Sequence, residues 1–160
     1  MRTLIDRIKA VQRSSPVDVS GLAEHLGVEV NYVLLEPTIS GELVREGDSY
    51  AININARDAS TRQRFTLAHE LGHYIYHRDL IGKGLDDDRA YRSTMNGRYF
   101  NTRIGPRQET EANKFAANLL MPWSLIEDMQ RNGLDSRQIA DQLRVSEQAM
   151  AIRLGELSAS

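Results

Sequence analysis

Cysteine is absent from the 160 residues, which excludes disulfides and any thiolate metal site and leaves His, Asp and Glu as the strong ligands. An excess of one charge is lacking as well. The formal net charge is −2, so overall charge gives no support to nucleic-acid binding, although a local basic patch stays open. No apolar run approaches membrane-spanning length, and charges interrupt every apolar stretch of residues 1–15, so no signal-peptide core is present. A soluble, cytoplasmic protein without membrane contact is therefore expected. Internal repeats and low-complexity tracts are also missing, and the length suits one domain with room for a small appended module.

What is there centres on residues 60–78, which contain His69-Glu70-Leu71-Gly72-His73. On a helix, two histidines four residues apart lie about 6 Å along the axis and nearly on one face, so two imidazole nitrogens can meet one ion. Zinc held that way keeps positions for a further ligand and a water, and Glu70 is placed to take a proton from that water. Asp58 and Ser60 offer N-cap oxygens, Ser60 with Gln63 fits a capping box, and Phe65, Leu67, Ala68, Leu71 and Ile75 supply apolar positions. Gly72 inside the helix costs roughly 1 kcal/mol relative to alanine. Close approach of another backbone or of a substrate at that turn is the expected reason.

Around this segment, Leu4, Ile5, Ile8 and Val11 recur with helical spacing up to Ser14-Ser15-Pro16. A second short helix follows, with Asp18 or Ser20 as cap, Leu22, Ala23 and Leu26 facing inward and Gly27 closing it. His25, on this helix among polar neighbours, is read as a surface or half-buried histidine. From Val28 the period becomes two. Val28, Val30 and Tyr32 or Val33, then Gly41 to Val44, then residues 50–55 after the turn Glu46-Gly47-Asp48-Ser49, predict a small antiparallel sheet ending in a hairpin. An edge strand beside a metal site could hold an extended peptide by backbone hydrogen bonds. Residues 82–107 show no sustained period and read as a long loop, where Tyr91, Arg92, Arg98, Tyr99 and Phe100 could cover a site or contact a partner. Helical pattern returns at Gln108, with Ala112, Phe115, Ala116, Leu119 and Leu120 on one face, and stops at Pro122. Three short helices then follow, the first closing at Asn132-Gly133 and the last capped by Ser146.

Two histidines rarely make a tight zinc site alone. His77 would extend the series, but on a continuous helix its origin lies about 12 Å from that of His69, too far for one ion to bind all three. It is read as a residue supporting the ligands or closing the helix. Glu109 is the better third ligand. Glu109 and Asn113 are four apart on the face carrying Ala112, Ala116 and Leu120, so the carboxylate can reach the metal and the Asn113 amide oxygen can receive a histidine N–H. Glu111, roughly opposite Glu109, is the fallback. Both glutamates would also suit a helix N-terminus with no metal at all.

The run from Arg62-Gln63-Arg64-Phe65-Thr66-Leu67-Ala68 through His73, followed by Glu109-Thr110-Glu111-Ala112-Asn113-Lys114-Phe115-Ala116-Ala117-Asn118-Leu119-Leu120-Met121-Pro122, closely resembles the ImmA/IrrE family of metallopeptidases. The resemblance implies a gluzincin-like α+β fold, with a small antiparallel sheet packed on a helical zinc-metallopeptidase core in residues 1–122 and a helical C-terminal part in residues 123–160. It implies one Zn2+ held by His69, His73 and Glu109, Glu70 as catalytic base, and a helix-turn-helix transcriptional repressor as the protein cleaved. Residues 82–107 match no family pattern. Donors for the tetrahedral oxyanion would come from Tyr74, Tyr76, His77 or Tyr99.

Two other readings compete. Residues 135–157 have helix, tight turn, helix spacing with Arg137, Arg144 and Arg153, as a DNA-binding module would, but Asp135, Asp141, Glu147 and Glu156 offset those charges. Helical packing or repressor docking is the preferred role for this part. The other alternative keeps the zinc without turnover, as a regulator that sequesters the repressor. The oligomeric state is not legible from the residues.

Overall fold

The computed structural model describes residues 2–88 and 103–156. Helix α1 (Leu4–Val11) opens on a capping box, the Thr3 hydroxyl accepting from the Asp6 N–H and the Asp6 carboxylate from the Thr3 N–H, each at 3.1 Å. In α2 (Val19–His25) Asp18 accepts from the Gly21 N–H at 3.0 Å, Leu22 and Ala23 are buried, and His25 is exposed. Strands β1 (Glu29–Val33), β2 (Ile39–Glu46) and β3 (Ser49–Asn55) lead into the long helix α3 (Ser60–His77). A 3-10 turn (Arg78–Leu80), strand β4 (Gly84–Asp88) and helix α4 (Pro106–Leu120) come next. Helices α5 (Trp123–Arg131), α6 (Ser136–Leu143) and α7 (Glu147–Arg153) complete the α+β arrangement.

The sheet order is β1-β3-β2-β4. β2 and β3 form the expected antiparallel hairpin, with Gly47 in the left-handed region at φ 63°. Two expectations are corrected here. The sheet is mixed rather than antiparallel throughout, because β1 pairs parallel to β3 in the register Val30↔Ile52 and Tyr32↔Ile54. Period-two alternation marks a strand but carries nothing about the direction of its neighbour; here β3 separates β1 from β2. The segment 82–107 is also not a loop along its whole length: β4 pairs antiparallel with β2, Leu43 opposite Leu85, and α4 already starts at Pro106. With the single apolar Leu85 among three acids, β4 is held by backbone hydrogen bonds that leave no side-chain period to read. Tyr91, Arg92, Arg98, Tyr99 and Phe100 lie outside the described residues.

The strand that leads into the motif helix, β3, is interior; among the described residues the edges are β1 and β4, and β4 lies beside β2, the strand that packs on α3. Helix α3 packs on the odd-numbered face of β2. There a Cβ on Gly41 would come within 2.5 Å of the Thr66 methyl and 3.7 Å of Glu70 Cγ, so the glycine lets strand and helix approach beside the first turn of the motif. A cluster of buried side chains runs from Val11 and Leu22 through Ile52, Leu71 and Leu119 to Leu143 and Met150, taking in both the sheet layer and the C-terminal helices. Each such leucine or isoleucine contributes about 1.5–3 kcal/mol by leaving water. The end of α4 is tied down from both sides: Gln12 Nε2 donates to the Asn118 and Leu119 carbonyls at 3.1 and 3.2 Å, and Arg153 Nε donates to the Met121 carbonyl at 3.1 Å. No helix among the described residues is long and apolar enough to cross a membrane.

Candidate metal centre

The start of α3 departs from the expected cap. Ala59 is the N-cap residue and no side-chain oxygen caps the helix; Gln63 instead donates from Nε2 to the Asn55 carbonyl at 3.1 Å, tying the helix to the end of β3. The Gln63 side chain thus anchors the helix to the strand instead of closing a capping box. From Thr66 to His73 every residue is buried, an interior stretch that includes both motif histidines and Glu70.

Gly72 explains how a second helix reaches them. A Cβ on Gly72 would lie 3.1 Å from Ala112 Cα, 3.3 Å from the Ala112 carbonyl oxygen and 3.3 Å from Phe115 Cβ. Helix α4 thus crosses α3 backbone to backbone, with alanine and glycine at the crossing. Glu109 precedes Ala112 by three residues and Asn113 follows it by one, so both side chains reach α3 beside the crossing. This is the close approach for which a glycine inside a helix was expected.

His69, His73, Glu109 and Asn113 are brought together. The two imidazole Nε2 atoms lie 3.1 Å apart, Glu109 Oε1 is 2.7 Å from His73 Nε2, and Oε2 is 3.4 Å from His69 Nε2. The opposite nitrogen of His69 meets Asn113 Oδ1 at 2.8 Å. An amide oxygen only accepts, so His69 carries its hydrogen on Nδ1 and its Nε2 presents a lone pair. His69, His73 and Glu109 are at most 4% exposed. Glu70 is fully buried, and one of its carboxylate oxygens lies within 4.8 Å of ligand atoms of both histidines. By distance alone Glu70 could be counted among the ligands. Both oxygens of Glu109 lie against the two Nε2 atoms, at 2.7 and 3.4 Å, and the carboxylate of Glu70 lies beside the same centre.

These residues fit a divalent cation. Two imidazoles and a carboxylate aim lone pairs at one small volume shielded from water, an arrangement that repels itself unless positive charge sits there. Ligand atoms around a tetrahedral zinc ion lie roughly 3.3 Å apart, which is the scale of the 3.1 and 3.4 Å separations here, while Glu109 Oε1 and His73 Nε2 at 2.7 Å are closer, at hydrogen-bond distance. Nitrogen and oxygen donors in such a set suit zinc.

Glu111 is not in this group. Its Oε1 lies 3.3 Å from His77 Nε2, and His77 Nδ1 lies 3.0 Å from His73 Nδ1. Burial lowers the His77 pKa from its usual value, the Glu111 hydrogen bond opposes that shift and the neighbouring His73 adds to it. Among the other side chains offered as oxyanion donors, Tyr74 packs edge-on against Tyr50 with ring centroids 5.2 Å apart, Tyr76 packs against Phe115 at 5.9 Å, and Tyr99 lies outside the described residues. Gly41 and Ala112, which set the two close approaches, carry no chemistry and gave no signal in the sequence beyond being small.

In the C-terminal helices Arg153 is held against the chain, while Arg137 forms a surface ion pair. Arg137 Nε pairs with Glu147 at 3.2 Å, and Arg153 lies over the Trp123 ring at 4.5 Å while its NH1 donates to Asn118 Oδ1 at 3.0 Å. Arg144 holds the left-handed position that ends α6, at φ 54°.

A model of the IrrE N-terminal-like domain, Peptidase_M78, matches residues 23–155. Two relatives are each described as a radiation response metalloprotease IrrE. The one from Deinococcus deserti is 39% identical over 98 residues, covering 61% of this chain and 32% of that protein. The one from Deinococcus radiodurans is 41% identical over 91 residues, covering 56% of this chain and 25% of that protein. The match thus spans about a third of the one relative's length and a quarter of the other's.

Proposed function

The chain belongs to the IrrE N-terminal-like domain family, and from that premise we propose that it is a zinc-dependent endopeptidase that cleaves a helix-turn-helix transcriptional repressor and so relieves repression. The observation that carries the catalytic part is the buried meeting point of His69 Nε2, His73 Nε2 and the Glu109 carboxylate with Glu70 alongside. His69, His73 and Glu109 would hold the ion. A bound zinc ion supplies Lewis acidity, making water a nucleophile near neutral pH and polarising a peptide carbonyl. Glu70 takes the proton from the attacking water and delivers it to the leaving amine nitrogen, acting first as base and then as acid. Its burial keeps competing water away from that transfer. Asn113, by accepting from His69 Nδ1, keeps the ring turned with Nε2 toward the centre.

The repressor as substrate is supported by the family resemblance of the two motif blocks, and Arg153, engaged with the Met121 carbonyl and Asn118, is held away from a phosphate-binding role. The test is co-expression with the helix-turn-helix regulator encoded beside the gene, comparing the wild type with Glu70→Gln. Both proteins should purify with one zinc per chain, and only the wild type should yield regulator fragments. Undiminished cleavage by Glu70→Gln would refute the assignment of the base. Full derepression with the regulator intact would replace proteolysis by sequestration.

A further inference from the structure

His77 is 5% exposed, and the mechanism above gives neither it nor Glu111 a role. Their geometry nevertheless favours one hydrogen position on His73. Nδ1 of His73 and Nδ1 of His77 face each other at 3.0 Å, and two ring nitrogens in that position share one hydrogen between them. On the far side of the His77 ring, Nε2 meets Glu111 Oε1 at 3.3 Å. A carboxylate accepts and does not donate, so the hydrogen of neutral His77 sits on Nε2 and points at Glu111. His77 Nδ1 is then a bare acceptor. With an ion on His73 Nε2, His73 donates to that acceptor from its own Nδ1; without the ion, Glu109 Oε1 at 2.7 Å from Nε2 draws a hydrogen to that nitrogen instead.

We propose that Glu111 and His77 are a positioning pair that sets the tautomer and ring orientation of His73 for metal binding. The proposal rests on the metallopeptidase reading and deepens it. Helix α4 thereby controls both histidines: Asn113 holds His69 directly, and Glu111, on the other side of α4, holds His73 through a histidine one turn further along α3. Glu109 Oε1, 2.7 Å from His73 Nε2, favours a hydrogen there in the metal-free centre, and the pair supplies the opposing acceptor on the Nδ1 side that the ion-bound ring needs. Glu111 has a side chain 45% exposed, so its removal leaves the core packing intact.

The test uses the full chain and reads two quantities: zinc affinity by competition with a chromophoric chelator, and imidazole tautomers of the zinc-loaded protein by long-range 1H–15N NMR. Glu111→Ala should weaken zinc binding by about tenfold or more and give His77 a mixture of tautomers, while His69 stays protonated on Nδ1. Glu111→Gln, whose amide oxygen still accepts, should keep most of the affinity. In His77→Gln the amide oxygen can accept from His73 directly, so adding Glu111→Ala to that variant should cost nothing further. Unchanged affinity and an unchanged His77 tautomer in Glu111→Ala would overturn the proposal, as would an equal loss in the His77→Gln background. A wild type that takes up no zinc would instead overturn the metallopeptidase reading on which the proposal rests.

Discussion

Substituting Gly72 by alanine isolates the contact on which the centre depends. In an ordinary helix interior the change would stabilise by about 1 kcal/mol, because alanine loses less backbone entropy. Here the new methyl meets Ala112 Cα at 3.1 Å and the Ala112 carbonyl oxygen at 3.3 Å, distances a few tenths of an ångström inside ordinary carbon contacts. Those atoms belong to the backbone of α4 and cannot rotate away, so the whole helix must give. Overpacking of this kind costs typically about 1–3 kcal/mol. Offset by the gain in propensity, the net destabilisation should be about 0–2 kcal/mol, visible in urea denaturation as a lower midpoint with an unchanged slope. The larger effect should be on the metal, since Glu109 and Asn113 ride on the displaced helix on either side of Ala112: zinc affinity should fall about tenfold, or 1.4 kcal/mol. A Gly72→Ala protein that gains the full 1 kcal/mol of helix propensity and binds zinc as tightly as the wild type would refute the argument.

Other outcomes follow from the same geometry. Zinc at a hundredfold excess over Kd should add about 2.7 kcal/mol to stability. That corresponds to a Tm rise of roughly 5–11 °C by calorimetry, and a metal-free protein with the same Tm would contradict a site built by folding. Asn113→Leu strands the His69 Nδ1–H, which should cost roughly 1–3 kcal/mol in the metal-free protein and at least about tenfold in zinc affinity, read by denaturation and chelator competition. Ser146→Ala removes the oxygen that accepts from the Ala149 N–H at 3.0 Å. It should cost about 1 kcal/mol by denaturation and leave zinc affinity untouched. Duplex DNA titrated at low salt should leave the protein unbound in a mobility assay; a steep salt-dependent shift would revive a nucleic-acid role for residues 135–157.

Much of the chain was legible where local chemistry decides the outcome. The helices around Leu4–Val11 and Leu22–Ala23 follow from apolar spacing and from Asp18 and Gly27, and Ser146 caps α7 as its position suggested. Strand β4 was not legible, because Leu85 is its single apolar residue and its stability lies in hydrogen bonds to β2. The parallel pairing of β1 escaped for a related reason: alternation is the same in either direction. Ser60 and Gln63 had the spacing of a capping box, and a competing partner for Gln63 on β3 overrode it.

The order of residues alone determined that two imidazoles four apart would share one helix face and that Glu70 would accompany them, since helical geometry is local and the same wherever the helix sits. It also determined which face of α4 would be buried. That face already favoured Glu109 over Glu111, and only the tertiary structure brought it to the histidines. Glu109 and Glu111 are two residues apart and chemically alike, and their separation into one acid at His73 Nε2 and one at His77 depends on where α4 crosses α3. That crossing point is set by Gly72 against Ala112, a contact between residues forty positions apart that owes its closeness to what both side chains lack.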